Sequence, residues 1–213
     1  MYALVQHSAD RIYPLGFPLD YEPTPDQTVA AIAARRGEDP LAVMYDLMLE
    51  CDSGAMLMLP FYNYAEGNHD AIYEMLSHPA AVSGLSDGGA HCGMICDASY
   101  PTYLLSHWAR DRHRGPKFSL EYVVRKQTLD TATLFGLSDR GVISVGKKAD
   151  LNVIDMHSLN LELPRMVYDL PAGGRRLIQG AGGYDATVVS GAVTRRHGAD
   201  TGARPGRLIR GVR

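Results

Sequence analysis

The feature that most constrains the fold is an apolar run followed by a helical segment and a second run of small residues. Residues 55–61 are continuously apolar over the length of a strand, which is typical of a strand buried on both faces of a parallel sheet. Residues 68–77 follow helical periodicity, and His78 and Pro79 end that pattern. Residues 80–86 then have the pattern of a second strand. This order predicts a strand, helix, strand unit and hence an α/β architecture with a parallel sheet.

An aspartate stands where this unit ends. The stretch Gly84-Leu-Ser-Asp-Gly-Gly-Ala-His91 contains glycines that stop the strand and leave Asp87 and His91 at its carboxyl end. Ligands of α/β folds bind outside the carboxyl ends of the strands, so Asp87 is a candidate catalytic group. From the residues alone, an aspartate that only caps the following loop is an equally good interpretation of this position.

The remaining chain divides into a helical part and a β-rich part. Helical spacing with capping signals predicts further helices at 24–37, 39–50, 101–112, 119–126 and 131–134. After Gly136 short β segments separated by glycine take over, at 141–143, 149–155 and 186–194, with Gly191 at a hairpin turn. The predicted domains are therefore residues 1–138 and 139–213, the second with a glycine-rich ordered loop at 161–184.

The number of strand and helix units limits the architecture. One such unit takes ~30 residues and a closed eight-fold barrel takes ~250, so residues 1–138 hold only three or four units. The chain is then either a small open α/β fold or the second half of a larger barrel. A half-barrel would expose unpaired strand edges, so it is expected to behave poorly as a monomer or to pair with another chain.

Composition excludes several classes of partner. A net charge of −3 gives no reason to expect a nucleic-acid partner, and no apolar run approaches the roughly 20 residues of a membrane span. The three cysteines, Cys51, Cys92 and Cys96, form neither a disulfide framework nor a zinc repeat. They suit a reducing compartment, which together with the lack of a signal-peptide pattern predicts a cytoplasmic protein.

Weaker candidates lie on either side of Asp87. Cys92 and Cys96 lie beside His91 and could be imagined in a metal site, although small buried side chains under a loop are the favoured interpretation. The pair Gly88 and Gly89 could cradle an anion with backbone N–H groups. A second set follows the strand at 55–61 and could face the same cleft, although local hydrogen bonds are favoured for it: Asn63, Glu66 and His69.

Several motifs in chain order resemble one known family. They look like the C-terminal half of the amidohydrolase superfamily, most closely the N-acyl-D-amino-acid deacylases, or D-aminoacylases. The resemblance covers most of residues 80–213, and its specificity lies in the ordered series. The motifs are GLSDGGAH at 84–91, LEYVVRKQT at 120–128, GLSDRGVI at 136–143, GKKADLNVID at 146–155, and the tail at 191–194 and 201–210.

This resemblance implies a fold and a chemistry. It implies a partial (β/α)8 metal-dependent hydrolase barrel, the last three or four units, followed by a small β-sandwich segment. In such enzymes a zinc-bound water attacks an amide carbonyl. Asp87 matches the family's aspartate at the end of the last barrel strand, which contacts the metal and moves the proton of the water to the leaving amine. The neighbouring candidate substrate-binding residues are Ser86, Gly88, Gly89 and His91.

Departures from the family pattern limit what is expected of these residues. None of the eight histidines lies two positions from another, so the family's first-strand His-x-His pair is absent, and the other zinc ligands are not recognisable. Catalytic zinc usually has three protein ligands. The loop at 92–99 also lacks the arginine that the family uses for the substrate carboxylate, which leaves the substrate open. The 213 residues are therefore expected to be inactive alone, and active in a full-length enzyme that hydrolyses an N-acyl-D-amino acid.

Two alternatives remain at this stage. One is a cyclic-amide hydrolase of the hydantoinase or dihydroorotase kind, which shares the barrel and the aspartate at the strand end. The other is a non-catalytic, stand-alone binding or structural module that keeps the second half of the fold. Either a homo-oligomer or a missing N-terminal half would cover the edges of a half-barrel.

Overall fold

The structure is a computed structural model of the 213-residue chain and describes residues 7–50, 55–84 and 91–209. The chain forms two compact units, Met1–Ser77 and His78–Arg213, which are described one at a time. The division into domains at residue 138, which the sequence suggests, stays a prediction.

In its described residues the first unit combines three helices with two short strands. In chain order these are β1 (Tyr13–Leu15), a 3-10 turn (Pro25–Gln27), α1 (Val29–Arg36), α2 (Pro40–Leu49), β2 (Met56–Met58) and α3 (Asp70–Ser77). All three helices confirm the helices that the sequence predicts in this region.

Local signals explain where α1 and α2 begin and end. The Thr28 hydroxyl accepts the N–H of Ala31 at 3.2 Å and caps α1, and Gly37 ends the helix in the left-handed conformation at φ 69°. The Asp39 carboxylate accepts the N–H of Leu41 at 2.8 Å, so α2 begins at the following proline. Each cap satisfies backbone groups that the helix itself leaves unpaired.

The core of the first unit lies between α1, α2 and the strands. Its members are apolar and less than a tenth exposed, and all but the first lie on the two helices: Ile12, Val29, Ala33, Val43, Met44 and Leu47. Half-buried side chains that include Leu57 and Leu59 pack against this cluster. Burial of these side chains, at about 25 cal/mol per Å² of apolar area, is the main stabilising contribution here.

The strand β2 corrects one expectation. It pairs with β1 in antiparallel register, Tyr13 opposite Met58 and Leu15 opposite Met56, so within the described residues this strand has no parallel neighbour. An apolar run indicates burial but carries no information on the direction of the neighbouring strand, and the prediction of a parallel pair is wrong here.

The prediction of a strand at 80–86 is also wrong for residues 80–84, the part of it that the structure describes. Residues 81–84 have no regular secondary structure, and a turn closes just before them through the N–H of Ala81 and the carbonyl of His78 at 3.0 Å. Alanine and serine side chains bury little apolar area, so this segment has little to fix it on a sheet face.

The second unit begins with two helical segments that contain wider π-helical turns. The first is α4 (Tyr100–Tyr103), which continues as a π-helix (Leu104–Asp111). The second runs through α5 (Leu120–Arg125), a π-helix (Lys126–Asp130) and α6 (Thr131–Leu134). Rings join the two segments: Trp108 lies 5.7 Å from Phe118, which stacks at 4.9 Å on Tyr122. The helices predicted at 101–112, 119–126 and 131–134 are confirmed.

Short strands form the remainder of the second unit. They are β3 (Leu151–Ile154), β4 (Asn160–Leu161), β5 (Arg165–Leu170), β6 (Gly174–Ile178), β7 (Ala181–Gly182), β8 (Tyr184–Val189), β9 (Ala192–Arg196) and β10 (Ala199–Asp200). One sheet has the order β10-β9-β8-β3, and the pairs β5-β6 and β4-β7 form two smaller sheets.

The hairpin of β8 and β9 follows its sequence signal. Ser190 and Gly191 at the turn have φ values of 49° and 82°, the left-handed pair that a two-residue turn needs to match the twist of its strands. The predictions of strands at 149–155 and 186–194 are thereby confirmed. The strand predicted at 141–143 is wrong, because these residues are irregular and Ile143 is 86% exposed.

The glycine-rich segment 161–184, predicted as an ordered loop, carries the strands β5, β6 and β7. Its glycines lie where neighbouring chain comes close. A Cβ at Gly183 would stand 2.5 Å from the Cα of Leu159, and one at Gly182 would meet the Asn160 side chain. Glycine in this segment permits the close approach of backbone and does not signal the absence of strands.

The described residues therefore form a mixed helix and strand architecture. Their sheets have two or four strands, all neighbours are antiparallel, and none of the sheets closes into a barrel. No helix in the described ranges combines the length and the apolar character that a membrane span needs.

Candidate functional site

The Asp87 loop is described only at its two ends. Four of the sequence-predicted site residues, Ser86, Asp87, Gly88 and Gly89, lie outside the described residues. The structure describes the chain up to Gly84 and again from His91. What it shows of this site is therefore how each flank is held.

His91 opens the turn that follows the loop. It is exposed and left-handed, with φ 50°, and its carbonyl accepts the N–H groups of Met94 at 2.8 Å and Ile95 at 3.0 Å. A non-glycine residue in this conformation is uncommon and is most often found at tight turns. The substrate-binding role predicted for His91 stays a prediction.

The downstream flank is tied to the β-rich part of the second unit. The carbonyl of Cys92 accepts the N–H of Leu177 in β6 at 2.6 Å. A few residues later the Ser99 hydroxyl donates to the side-chain oxygen of Gln179, and the Gln179 amide donates to the carbonyl of Glu162 at 2.8 Å. Backbone and side-chain hydrogen bonds thus fix residues 92–99 along one side of the β5-β6 hairpin.

The two loop cysteines differ from metal ligands in their surroundings. Burial of the Cys96 thiol, and to a smaller extent the charge of Asp97, raise the pKa of Cys96. The thiolate is the form that binds a metal, so a raised pKa favours the protonated thiol. The Cys92 sulfur lies 3.9 Å from the Arg175 carbonyl. These observations favour the interpretation of the cysteines as small, partly buried side chains.

The upstream flank is held by a lysine that the sequence patterns did not single out. Lys126 is 6% exposed, and its ammonium donates to the carbonyl of Ala81 at 2.6 Å. The same ammonium lies 5.3 Å from the centre of the Tyr122 ring, one helical turn earlier. The spacing of the helix could have indicated that Lys126 is buried. Lys126 follows the buried Val123 by three positions and so falls on the same helix face.

The candidates of the first unit separate into two groups. Asn63 and Glu66 line a cavity of about 430 Å³, beyond the carboxyl end of β2, together with Arg11 and Tyr62. His69 is instead buried, and its backbone N–H donates to the Glu22 carboxylate at 2.9 Å, while its Nδ1 lies 3.8 Å from the other carboxylate oxygen. Glu22 is 2% exposed, and no sequence pattern indicated it as a candidate site residue.

Glu22 and His69 are the residues of the first unit best placed to bind a metal. A carboxylate oxygen and an imidazole are both zinc ligands, but catalytic zinc usually has three protein ligands. Taken unit by unit, the described residues bring no three histidine, cysteine or carboxylate side chains together. The described part of either unit thus does not by itself supply the set that the resemblance implies.

Comparisons with known proteins identify the family. The model of the family described as "Amidohydrolase family" matches residues 10–195. An N-acyl-D-glutamate deacylase from Alcaligenes xylosoxydans xylosoxydans is 29% identical over 187 residues, which cover 86% of this chain and 33% of the relative. The chain thus spans about a third of the length of the curated relative that it matches.

A solved structure of a D-aminoacylase is 25% identical, with a TM-score of 0.46 and coverage of 93% of this chain and 38% of that one. The predicted resemblance to the D-aminoacylase group of amidohydrolases is confirmed by the family match and the deacylase relative together. Because the family model matches far more than half of its residues, this chain belongs to the amidohydrolase family.

Proposed function

We propose that the protein hydrolyses a carbon–nitrogen amide bond, removing the acyl group from an N-acyl-D-amino acid. The observation that carries this proposal is the family match over residues 10–195, within which GLSDGGAH at 84–91 stands in the expected order with the later motifs. The similarity to a protein named as an N-acyl-D-glutamate deacylase supports this substrate class.

Asp87 is the proposed catalytic residue. A carboxylate at this position accepts the proton of the attacking water and returns it to the leaving nitrogen, so that the amine departs as a neutral group. Backbone N–H groups of Gly88 and Gly89 are proposed to bind the substrate carbonyl or carboxylate, with Ser86 and His91 beside them. The flanking contacts at Ala81 and Cys92 support this proposal, because both ends of the loop are fixed.

Zinc is the metal that the family resemblance implies. It would polarise the substrate carbonyl and lower the pKa of a bound water. Asp87 is proposed as one of the ligands of this zinc, because it matches the family's aspartate at the end of the last barrel strand. We also propose that residues 1–138 correspond to the last units of a (β/α)8 barrel and 139–213 to a small β-rich domain.

The test uses the gene product purified from its native cells at the length that mass spectrometry shows. With Zn²⁺ added, it is expected to release acetate from N-acetyl-D-glutamate or another N-acetyl-D-amino acid, and not from the L-enantiomers. A chelator is expected to abolish turnover. The 213 residues by themselves are expected to show none.

Two outcomes of the same assay would replace the proposal. Turnover of hydantoin or dihydroorotate without turnover of N-acyl amino acids would identify a cyclic-amide hydrolase. Failure to hydrolyse any of these compounds after zinc loading would favour a non-catalytic binding or structural module.

A further inference from the structure

One cavity in the first unit is used by no step of the proposed reaction. Its volume is about 430 Å³, and it is lined by Asp10, Arg11, Tyr13, Pro25 and the loop 60–67. This space is called the Arg11 cavity below. All of these lining residues lie within Met1–Ser77, so the cavity belongs to the first unit. Pockets that bind small molecules have volumes of about 300–1,000 Å³ and combine apolar walls with a few polar groups.

Two buried tyrosines form the inner wall of the Arg11 cavity. Tyr13 and Tyr64 are 4% and 8% exposed, and their rings meet edge to face with centres 6.0 Å apart. The Tyr64 hydroxyl donates to the carbonyl of Pro23 at 2.5 Å. Gly67 lets its loop approach Pro25, because a Cβ at this position would lie 2.9 Å from the proline ring. These contacts fix an aromatic wall before any ligand binds.

The segment that carries the arginine is fixed by the start of α1. The N–H groups of Val29 and Ala30 donate to the carbonyl groups of the last and first residue of segment 9–12, at 2.8 Å and 2.9 Å. Asp10 and Arg11 lie between these two hydrogen bonds. The bonds also satisfy N–H groups that the first turn of a helix leaves unpaired. The backbone therefore presents both charged side chains from an ordered position.

Four polar side chains of the lining have few partners within the protein. Arg11 is exposed, and in the described residues its guanidinium has one hydrogen bond, a long one of 3.4 Å to the Ser8 hydroxyl. The side chains of Asp10, Asn63 and Glu66 form no hydrogen bond or ion pair with any described residue. Their donors and acceptors are therefore available to a ligand.

Two aromatic rings supply exposed apolar surface to the lining. Phe61 and Tyr62 are 65% and 84% exposed, and their ring centres lie 6.1 Å apart. A ligand that covers these rings removes apolar area from water, which contributes favourably to binding. The cavity thus combines an aromatic surface with charged groups.

The charges of the lining select the class of ligand. One guanidinium and two carboxylates are present, those of Arg11, Asp10 and Glu66. A simple anion would face two carboxylates, and a simple cation would face the guanidinium. A zwitterion matches both kinds of group. A guanidinium binds a carboxylate through paired hydrogen bonds, and an ammonium offers three donors to carboxylate oxygens.

We propose that the Arg11 cavity binds a free α-amino acid with an apolar or aromatic side chain. Its carboxylate pairs with Arg11, its ammonium with Asp10 and Glu66, and its side chain lies against Phe61 and Tyr62. An N-acyl amino acid lacks the ammonium and is expected to bind more weakly. The site would therefore recognise the class of the product of the proposed reaction and not that of its substrate. The inference does not depend on that reaction, because it uses residues of the first unit alone.

Calorimetric titration of the 213-residue protein with D- and L-phenylalanine, each in turn, tests the proposal. At pH 6 the amino acid is a zwitterion and the carboxylates are ionised. At least one enantiomer is expected to bind with a Kd below about 1 mM. Glycine, N-acetylphenylalanine and phenylalaninamide each lack one of the three groups and are expected to bind at least about tenfold more weakly. No binding of either enantiomer up to about 10 mM, or equal binding of N-acetylphenylalanine, would overturn the proposal.

Variants test which group of the ligand each residue contacts. Arg11→Gln is expected to weaken phenylalanine binding by about tenfold and to leave phenylalaninamide binding unchanged, because that ligand has no carboxylate. Glu66→Gln is expected to weaken phenylalanine binding and to leave N-acetylphenylalanine binding unchanged. Arg36→Gln and Glu74→Gln remove the same charges from exposed positions outside the cavity and are the matched controls. Equal losses in the controls would overturn the proposal, because they would reflect net charge alone.

Nuclear magnetic resonance on the wild-type protein tests the location without any substitution. Phenylalanine is expected to shift the amide signals of Arg11, Tyr62 and Glu66 and to leave those of β8 and β9 unchanged. Shifts confined to residues outside the lining would overturn the proposal. Neither measurement needs turnover. If phenylalanine binds and the native-length gene product hydrolyses no substrate, the proposed function fails and the binding site stands. If the enzyme is active and phenylalanine does not bind, the reverse holds.

Discussion

The helical first unit and the β-rich residues 139–209 are held together in different ways. The first unit buries a continuous apolar cluster between α1 and α2, with Val29 and Val43 fully buried. Among the described residues of 139–209, the buried apolar side chains are Leu159, Leu161 and Pro164 alone. The strand β3 leaves Val153 half exposed. Removing apolar volume should therefore matter most in the first region, and turn geometry and charge in the second.

Charged contacts take the place of a core in the β-rich region. Arg140 donates to Asp139 at 3.0 Å and to Asp150 at 3.0 Å, which connects the chain before β3 to the start of that strand. A two-pronged pair of hydrogen bonds joins Arg176 to Asp169 across the β5-β6 hairpin, each at 2.7 Å. Such planar pairs add geometric specificity, although exposed ion pairs contribute little to stability one by one.

The largest effect on stability is expected in the helical core. Leu47→Ala removes a side chain that is 7% exposed within the core cluster and should lower the free energy of unfolding by about 4 kcal/mol. Leu49→Ala, on the same helix but 59% exposed, is the matched control and should change it by less than about 0.5 kcal/mol. Urea unfolding followed by circular dichroism measures both. Equal losses for the two variants would contradict the assignment of the core.

A smaller effect is expected at the glycines of the β-rich region. Gly183 and Gly191 have similar φ values, 87° and 82°, but only at Gly183 would a Cβ meet the backbone of Leu159, at 2.5 Å. Gly191→Ala should cost about 1 kcal/mol, for backbone strain alone. Gly183→Ala should cost about 3 kcal/mol, because the neighbouring chain must also move. Thermal unfolding of the two variants measures the difference, and equal costs would show that the close approach is unimportant.

The smallest effect concerns pH and the exposed ion pairs. Hydrogen bonds from Arg140, and then from Lys148, lower the pKa of Asp139 from 3.8 to about 2. Because the folded pKa is the lower one, the stabilising contribution is complete above the unfolded value near 3.8 and disappears as the pH falls through about 2. The urea midpoint of wild type should therefore exceed that of Asp139→Asn at pH 6, and the two should converge toward pH 2.

Salt provides the control for this pH experiment. Exposed charges are screened over about 3 Å at 1 M ionic strength, so 1 M NaCl should reduce the difference between wild type and Asp139→Asn at pH 6. A difference that persists unchanged at pH 2 and in 1 M NaCl would mean that Asp139 acts through packing or backbone conformation and not through its charge.

The sequence predicted the elements whose signals are local. One detail differs: the first residues of the helix predicted at 24–37 form the 3-10 turn Pro25–Gln27, and Thr28 caps the α-helix that follows. Short-range hydrogen bonds and backbone angles decide where the helix at Asp39 and Pro40 begins and where the hairpin turns at Gly191. Such signals do not depend on the remainder of the chain, so they could be recognised without a structure.

Features that depend on distant chain were not predictable in the same way. The antiparallel partner of β2 lies more than 40 residues earlier at β1, and an apolar run gives no direction for pairing. The strands within 161–184 depend on close approach between glycines and a second chain segment, as at Gly183 and Leu159. Glu22 and Lys126 are recognised through contacts at 47 and 45 residues of separation. The role proposed for Asp87 depends on its predicted place at a strand end and on the ordered motifs around it.

The most direct test of the central claim is the activity of Asp87→Asn in the native-length, zinc-loaded gene product. The amide is nearly the same size as the carboxylate but cannot accept the proton, so kcat for an N-acyl-D-amino acid should fall by about 10³-fold with an unchanged circular dichroism spectrum. Asp97→Asn, at an exposed position in the next turn, is the control and should retain wild-type kcat. Removing an acid or base catalyst costs far more than about threefold in kcat. A kcat for Asp87→Asn within about threefold of wild type would therefore contradict the assignment.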